Sequence, residues 1–277
     1  MNKVAFTTGA SRGIGRATAL AFARAGFDLA ISARTIDEGE THPHALRDNS
    51  GAPLSGSLNS TAQAIRDLGR RALVVPMDLL DSASVLDACG AVFAEYGRVD
   101  VLINNAIYQG SDLNAEFLDL QPQTLERVFQ GYVLTPFLLT RAVVEKMLEQ
   151  GGGVVINVTS GAGECDPPIA ASQGGWGYAY GAGKAAVSRL AGVLAVELGE
   201  QGICAYTVNP GVVTTDALKA TIGDQGLIAL RAGSAPPEVP AAVMLWLATS
   251  AEAPRFQRRT LAVQAFAREQ NIVADWR

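Results

Sequence analysis

The chain is poor in the residues that metal sites, disulfide frameworks and nucleic-acid surfaces require. Its 277 residues include only two histidines, His42 and His44, and three cysteines, Cys89, Cys165 and Cys204. Three scattered thiols cannot form a paired framework and fit a reducing compartment. The histidines sit in T-H-P-H with no cysteine or carboxylate pattern around them, so no metal is expected. Lys+Arg 22 against Asp+Glu 27 leaves a formal net charge of −5 with no basic run, which argues against nucleic acid or an anionic membrane as partner. No apolar run is long enough to predict a membrane-spanning helix. A strand-like run, Val4–Thr8, begins almost at once after Met1, which predicts no signal peptide and a cytoplasmic protein.

What the chain does have is 48% hydrophobic residues and 29 glycines, enough for one large α/β domain with a substantial core. Short apolar runs at Val4–Thr8, Leu29–Ala33, Ala72–Val75, Val101–Asn104, Val154–Thr159 and Ile203–Val208 alternate with helical patterns. Those patterns include Gly15–Ala25, Ser82–Tyr96, Leu125–Leu148 and Ala185–Leu198. Strands apolar on both faces, each followed by a helix, predict a doubly wound parallel sheet of Rossmann type with helices on both faces. Nothing divides the chain, so residues 1–277 are expected to form a single domain. Two loops interrupt the rhythm, a long insertion at about 35–59 and a Gly/Ala/Pro-rich stretch at 161–177. The second follows the fifth strand at its carboxyl end, where such sheets bind ligands, and is assigned to the substrate pocket. The first carries no functional assignment.

Gly9, Ser11, Arg12, Gly13, Ile14 and Gly15 lie between the first strand and the first helix. Glycines there allow a tight turn and close ligand approach, and the helix start offers N–H groups and a positive dipole end to a pyrophosphate. A dinucleotide cofactor is therefore expected. The second strand ends Ala33-Arg34-Thr35 with no acid before Asp37. An arginine there suits a ribose 2′-phosphate, and Arg12 is a second cation, so NADP(H) is favoured with NAD(H) not excluded. Tyr180 and Lys184 in Y-G-A-G-K share one helix face. A nearby cation favours the phenolate, which would bring Tyr180 toward useful acid–base chemistry at neutral pH.

Together these residues resemble the short-chain dehydrogenase/reductase family, from Val4 to about Ser250. T-G-A-S-R-G-I-G corresponds to the family's cofactor turn. Asp78 and Leu79 fall where the family holds adenine, and Asn105 and Ala106 belong to the N-N-A motif bordering the cofactor. Ser160 falls at the catalytic serine, and Tyr180 and Lys184 match Y-x-x-x-K. Pro210, Gly211, Val213 and Thr215 resemble the segment that grips the nicotinamide carboxamide. The resemblance implies that Tyr180 exchanges a proton with the substrate oxygen, Ser160 hydrogen-bonds that oxygen, and Lys184 holds the nicotinamide ribose and lowers the tyrosine's pKa.

The chain departs from the family pattern in places. Tyr132 stands where an asparagine usually links the lysine to a proton path, and Ile107 replaces the glycine of N-N-A-G. The usual glycine-rich ending is absent. The expected activity is an NADP(H)-dependent interconversion of a secondary alcohol with a ketone or aldehyde on a mostly apolar small substrate, by a homo-oligomer (dimer or tetramer). A mobile lid is expected at 216–234. The alternatives are a weak or inactive nucleotide-binding scaffold and an enoyl-type reductase. Trp176 is read equally as a pocket wall or a loop anchor, and Cys165 has no evident base.

Overall fold

A computed structural model describes residues 2–48, 50–221, 233–274 and Trp276. Seven parallel strands form one sheet: β1 (Val4–Thr8), β2 (Asp28–Ala33), β3 (Ala72–Pro76), β4 (Val101–Asn104), β5 (Gly153–Val158), β6 (Ile203–Asn209) and β7 (Thr260–Ala262). Their order is β3-β2-β1-β4-β5-β6-β7, so the direction of winding reverses between β1 and β4. Ligands bind at the carboxyl ends of the strands at such a reversal.

The two faces are sorted by the period of two along each strand. Ala5, Leu29, Ile31, Val101, Ile103, Ile156 and Val158 join one core; Val4, Phe6, Ala30, Leu102 and Val155 join the other. The first core packs α1 (Gly13–Arg24), α2 (Leu58–Asp67) and two C-terminal helices, Glu238–Thr249 and Val263–Glu269. The second packs α3 (Ser82–Tyr96), α5 (Thr135–Glu149) and α6 (Tyr178–Glu197). Local chemistry sets the helix ends. Ser57 and Ser60 form a capping box at α2, Asp81 accepts from the Ala83 N–H at the start of α3, and Gly97 closes α3 at φ 69°.

The pattern read as one helix over Leu125–Leu148 is three elements: α4 (Pro122–Phe129), a π-helical turn at Gln130–Leu134, and α5. Thr135 Oγ1 donates within 2.8 Å of both Gln130 O and Leu79 O, anchoring the widened turn over β3's end. The short β7 lacks a strand signal of its own and pairs with β6 through Thr207–Asn209. Of the expected lid at 216–234, Asp216–Thr221 is a helix, and residues 222–232 lie outside the described residues.

Candidate active site

At the end of β1 the chain turns through Gly9 at φ 67° and Gly13 at φ 55° into α1. A Cβ on Gly15 would stand 2.1 Å from Gly9 O, so only glycine lets the helix start against the turn. α1 has no side-chain cap on its first N–H groups, an end that could hold an anion such as a pyrophosphate, and Ser11 is buried in the turn beside them. The turn is tied to the N-N-A motif by Thr8. Its hydroxyl accepts from Asn105 N (3.0 Å) and Ala106 N (2.9 Å) and donates to Ile103 O (3.1 Å). Asn105 Nδ2 donates to Thr8 O at 2.9 Å. Asn105 thus braces the glycine turn. Beyond β3, Asp78 accepts from Leu80 N, and buried Leu79 is fixed by Thr135.

The insertion after β2 folds back onto this turn. Arg12 Nε donates to Ser55 O (2.7 Å), and Nη2 donates to Leu54 O (3.0 Å) and Gly56 O (2.7 Å). Gly56, at φ 104°, packs so closely that a Cβ would lie 2.6 Å from Ser11 O. Burial pulls the Arg12 pKa below its ordinary value; Glu38 opposes the shift, and Arg34 adds to it by repulsion. Arg34 Nη1 donates to Pro43 O at 2.8 Å. Neither the hold on Arg12 nor the reach of the insertion had a local sequence signal. Its His44 ring meets Tyr108 edge-on at 5.8 Å, and His42 Nε2 lies 3.4 Å from a Glu40 carboxylate oxygen.

Ser160 follows β5 and caps a one-turn helix at Gly161–Gly163, its hydroxyl accepting from Ala162 N. Tyr180 and Lys184 lie on the first turns of α6, which is stitched to the sheet by Thr159 Oγ1 and Ser188 Oγ at 2.7 Å. Lys184 is buried, and its ammonium donates to Val158 O at 2.9 Å. It lies 6.0 Å from the centre of the Tyr180 ring. Burial pushes the Tyr180 pKa above its ordinary value, against a hydrogen bond with Ser160 that lowers it. This reverses the expected shift. Desolvation disfavours the phenolate, and the same burial draws Lys184 down to about 7, weakening the cation meant to offset it.

The segment after β6 closes the site. Gly211 sits at φ 67°, Val213 is buried in a bridge to Ala235, and a Cβ on Gly13 would lie 3.3 Å from the Thr215 methyl. Gln264 Nε2, from the C-terminal helix, donates to Pro210 O (3.2 Å) and Val212 O (2.8 Å). No local sequence signal marks Gln264, because its partners lie far away along the chain. The 161–177 loop is braced by the segment after β4. Asn114 Oδ1 accepts from Gly177 N at 3.2 Å, and Ser172 bonds Glu116. Trp176 is half-buried beside Gly181.

The sequence pattern of the short chain dehydrogenase family matches residues 3–226. The chain belongs to this family of NAD(P)-dependent oxidoreductases. A short chain dehydrogenase of Monascus purpureus is 32% identical over 216 residues, 77% of this chain and 66% of that protein. The chain therefore spans just under two thirds of that relative's length. Cyclohexanol dehydrogenase of Rhodococcus sp. (strain TK6) is 32% identical over 229 residues, covering 81% of this chain and 79% of that one. A solved short chain dehydrogenase from Mycobacterium paratuberculosis, bound to NAD, superposes with a TM-score of 0.76 at 26% identity, over 94% of this chain and 96% of that one. Among the described residues no helix is long and apolar enough to cross a membrane.

Proposed function

We propose that the protein interconverts a secondary alcohol with a ketone or aldehyde on a mostly apolar small molecule, using NADP(H). The observation that carries this reading is the gathering of Ser160, Tyr180 and Lys184 at the end of β5. The capless start of α1 and the tight glycine turn fit a dinucleotide, held by Gly9–Gly15 at one end and by Pro210–Thr215 at the other. A bound nicotinamide supplies or accepts hydride. Tyr180 Oη, kept protonated by burial, gives its proton to the substrate oxygen during reduction. Ser160 Oγ donates a hydrogen bond to the same oxygen, where negative charge develops. Lys184, about half ammonium near neutral pH, holds positive charge beside the phenol.

The cofactor preference rests on Arg34 closing β2, with Arg12 near enough to repel it. The neighbouring acids turn into the insertion, Asp37 accepting from Asn59 and Glu38 from Gly56 N, which favours a 2′-phosphate over bare ribose hydroxyls. Ile169 and Trp176 in the 161–177 loop favour an apolar substrate. Exposed Leu134, Phe137, Val193 and Val196 fit a homo-oligomer, and a monomer by light scattering would reject that part.

A panel of alcohols and ketones with NADPH, NADP+ and NADH tests the reading through nicotinamide absorbance. Cofactor affinity with no absorbance change across the panel would mark a nucleotide-binding protein instead, and product identity separates an enoyl reduction. Tyr180→Phe is expected to abolish turnover with cofactor affinity kept. Arg34→Ala is expected to weaken NADPH more than NADH; equal loss would reject the NADP(H) preference.

A further inference from the structure

Tyr132 is fully buried in the π-helical turn, and its hydroxyl turns away from the active-site lysine to donate to Tyr108 O at 3.0 Å. Its ring faces Lys184 instead, the ammonium lying 5.7 Å from the ring centre. The Tyr180 ring stands edge-on to it at 6.5 Å. Lys184 Nζ therefore has the Val158 carbonyl as its hydrogen-bond acceptor and two aromatic rings as walls.

The ring has been given room. A Cβ on Gly183, the residue before the lysine, would stand 2.7 Å from Tyr132 Cδ1 and 2.8 Å from Val128 Cγ1. Gly131 does the same for the tether, since a Cβ there would lie 2.9 Å from Tyr108 Cβ. Tyr108 is itself pinned. Its hydroxyl accepts from Arg127 Nε (3.1 Å) and donates to Asp112 Oδ1 (3.0 Å), while Asp112 takes Arg127 Nη2 (2.6 Å).

We propose that Tyr132 is a positioning residue for the active-site amine: its ring, admitted by Gly183, closes the space beside Lys184 and holds the ammonium on the Val158 carbonyl. The functional side of this rests on the reading that Lys184 serves the reaction. An aromatic face attracts a cation but also excludes water, and here exclusion wins, since burial takes the Lys184 pKa down to about 7. The titratable groups facing the amine are the phenols of Tyr180 on its own helix and Tyr132 on the π turn. The Arg127–Asp112 pair stands behind Tyr108 with its charges matched. The ammonium is thus lost as pH rises through about 7, and admitting water in place of the ring raises that midpoint.

The chain has four lysines, Lys3, Lys146, Lys184 and Lys219, so a side-chain carbon NMR titration resolves Lys184. Tyr132→Phe keeps the ring and is expected to leave the Lys184 midpoint in place. Tyr132→Leu is expected to raise it by about one pH unit or more. An unchanged midpoint in Tyr132→Leu makes the ring core packing alone and overturns the proposal; a shift in Tyr132→Phe assigns the effect to the hydroxyl and overturns it as well. Should the leucine variant fail to fold, Tyr132→Met carries the same decision. Gly183→Ala should destabilise the parent more than the Tyr132→Leu background, and equal penalties reject the fit between glycine and ring. The titration is read without substrate or cofactor, so an inert protein would defeat the proposed activity and leave this inference intact.

Discussion

Replacing Thr8 by valine removes one hydroxyl and almost no volume, at the knot that ties the glycine turn to the N-N-A motif. Thr8 is 2% exposed, so water does not readily replace the lost group. The change orphans the Ala106 N–H, while the Asn105 N–H loses one of two acceptors and keeps Ile103 O at 3.1 Å. An unsatisfied buried donor costs about 1–3 kcal/mol. Ala106 is only partly buried, and Asn105 N and Ile103 O keep each other as partners, so the sum is about 2 kcal/mol. For a chain of this size that is a fall in Tm of roughly 3–5 °C. Scanning calorimetry measures it, and titration calorimetry with NADPH measures what the loosened turn does to cofactor binding. Thr8→Ser keeps the hydroxyl and should lose less than half as much. A Thr8→Val protein within about 1 kcal/mol of the parent, with unchanged affinity, would refute the bracing role.

Gly15→Ala should abolish cofactor binding, because its methyl would overlap Gly9 O at 2.1 Å; retained affinity by fluorescence titration would contradict the packing. Gln264→Ala frees the segment from Pro210 to Val212 and is expected to raise the cofactor KM several-fold while kcat changes less, as steady-state kinetics would report. Asp28 is buried, and desolvation alone would raise its pKa. Bonds from Arg71 N, Asn2 and Arg70 more than offset this and hold it below the ordinary carboxylate value. Its stabilisation is therefore present above about pH 4 and lost as pH falls through the lowered pKa. Asp28→Asn should cost about 2 kcal/mol at neutral pH in urea unfolding, with the gap to the parent closing below pH 4.

The sequence by itself determined the strand–helix alternation, because strands buried on both faces read as continuous apolar runs wherever they end up. Six of the seven strands lie within a residue or so of the runs that predict them. It also determined the glycine turn, where positive φ and close backbone approach admit almost no other residue, and the shared helix face of Tyr180 and Lys184, which follows from the helical period. Tertiary structure alone decided that Thr260–Ala262 is a strand, since three residues acquire that state only by pairing with β6. It decided that the insertion holds Arg12 by three carbonyls, and that Gln264 reaches back to Pro210 and Val212. It also set the protonation at the site. A lysine four residues from a tyrosine argues for a lowered phenol pKa, yet the water excluded by packing from Tyr132 and the sheet moves both groups toward their neutral forms. Spacing along a helix is written locally; desolvation depends on every segment that closes over the group, and those segments come from the whole chain.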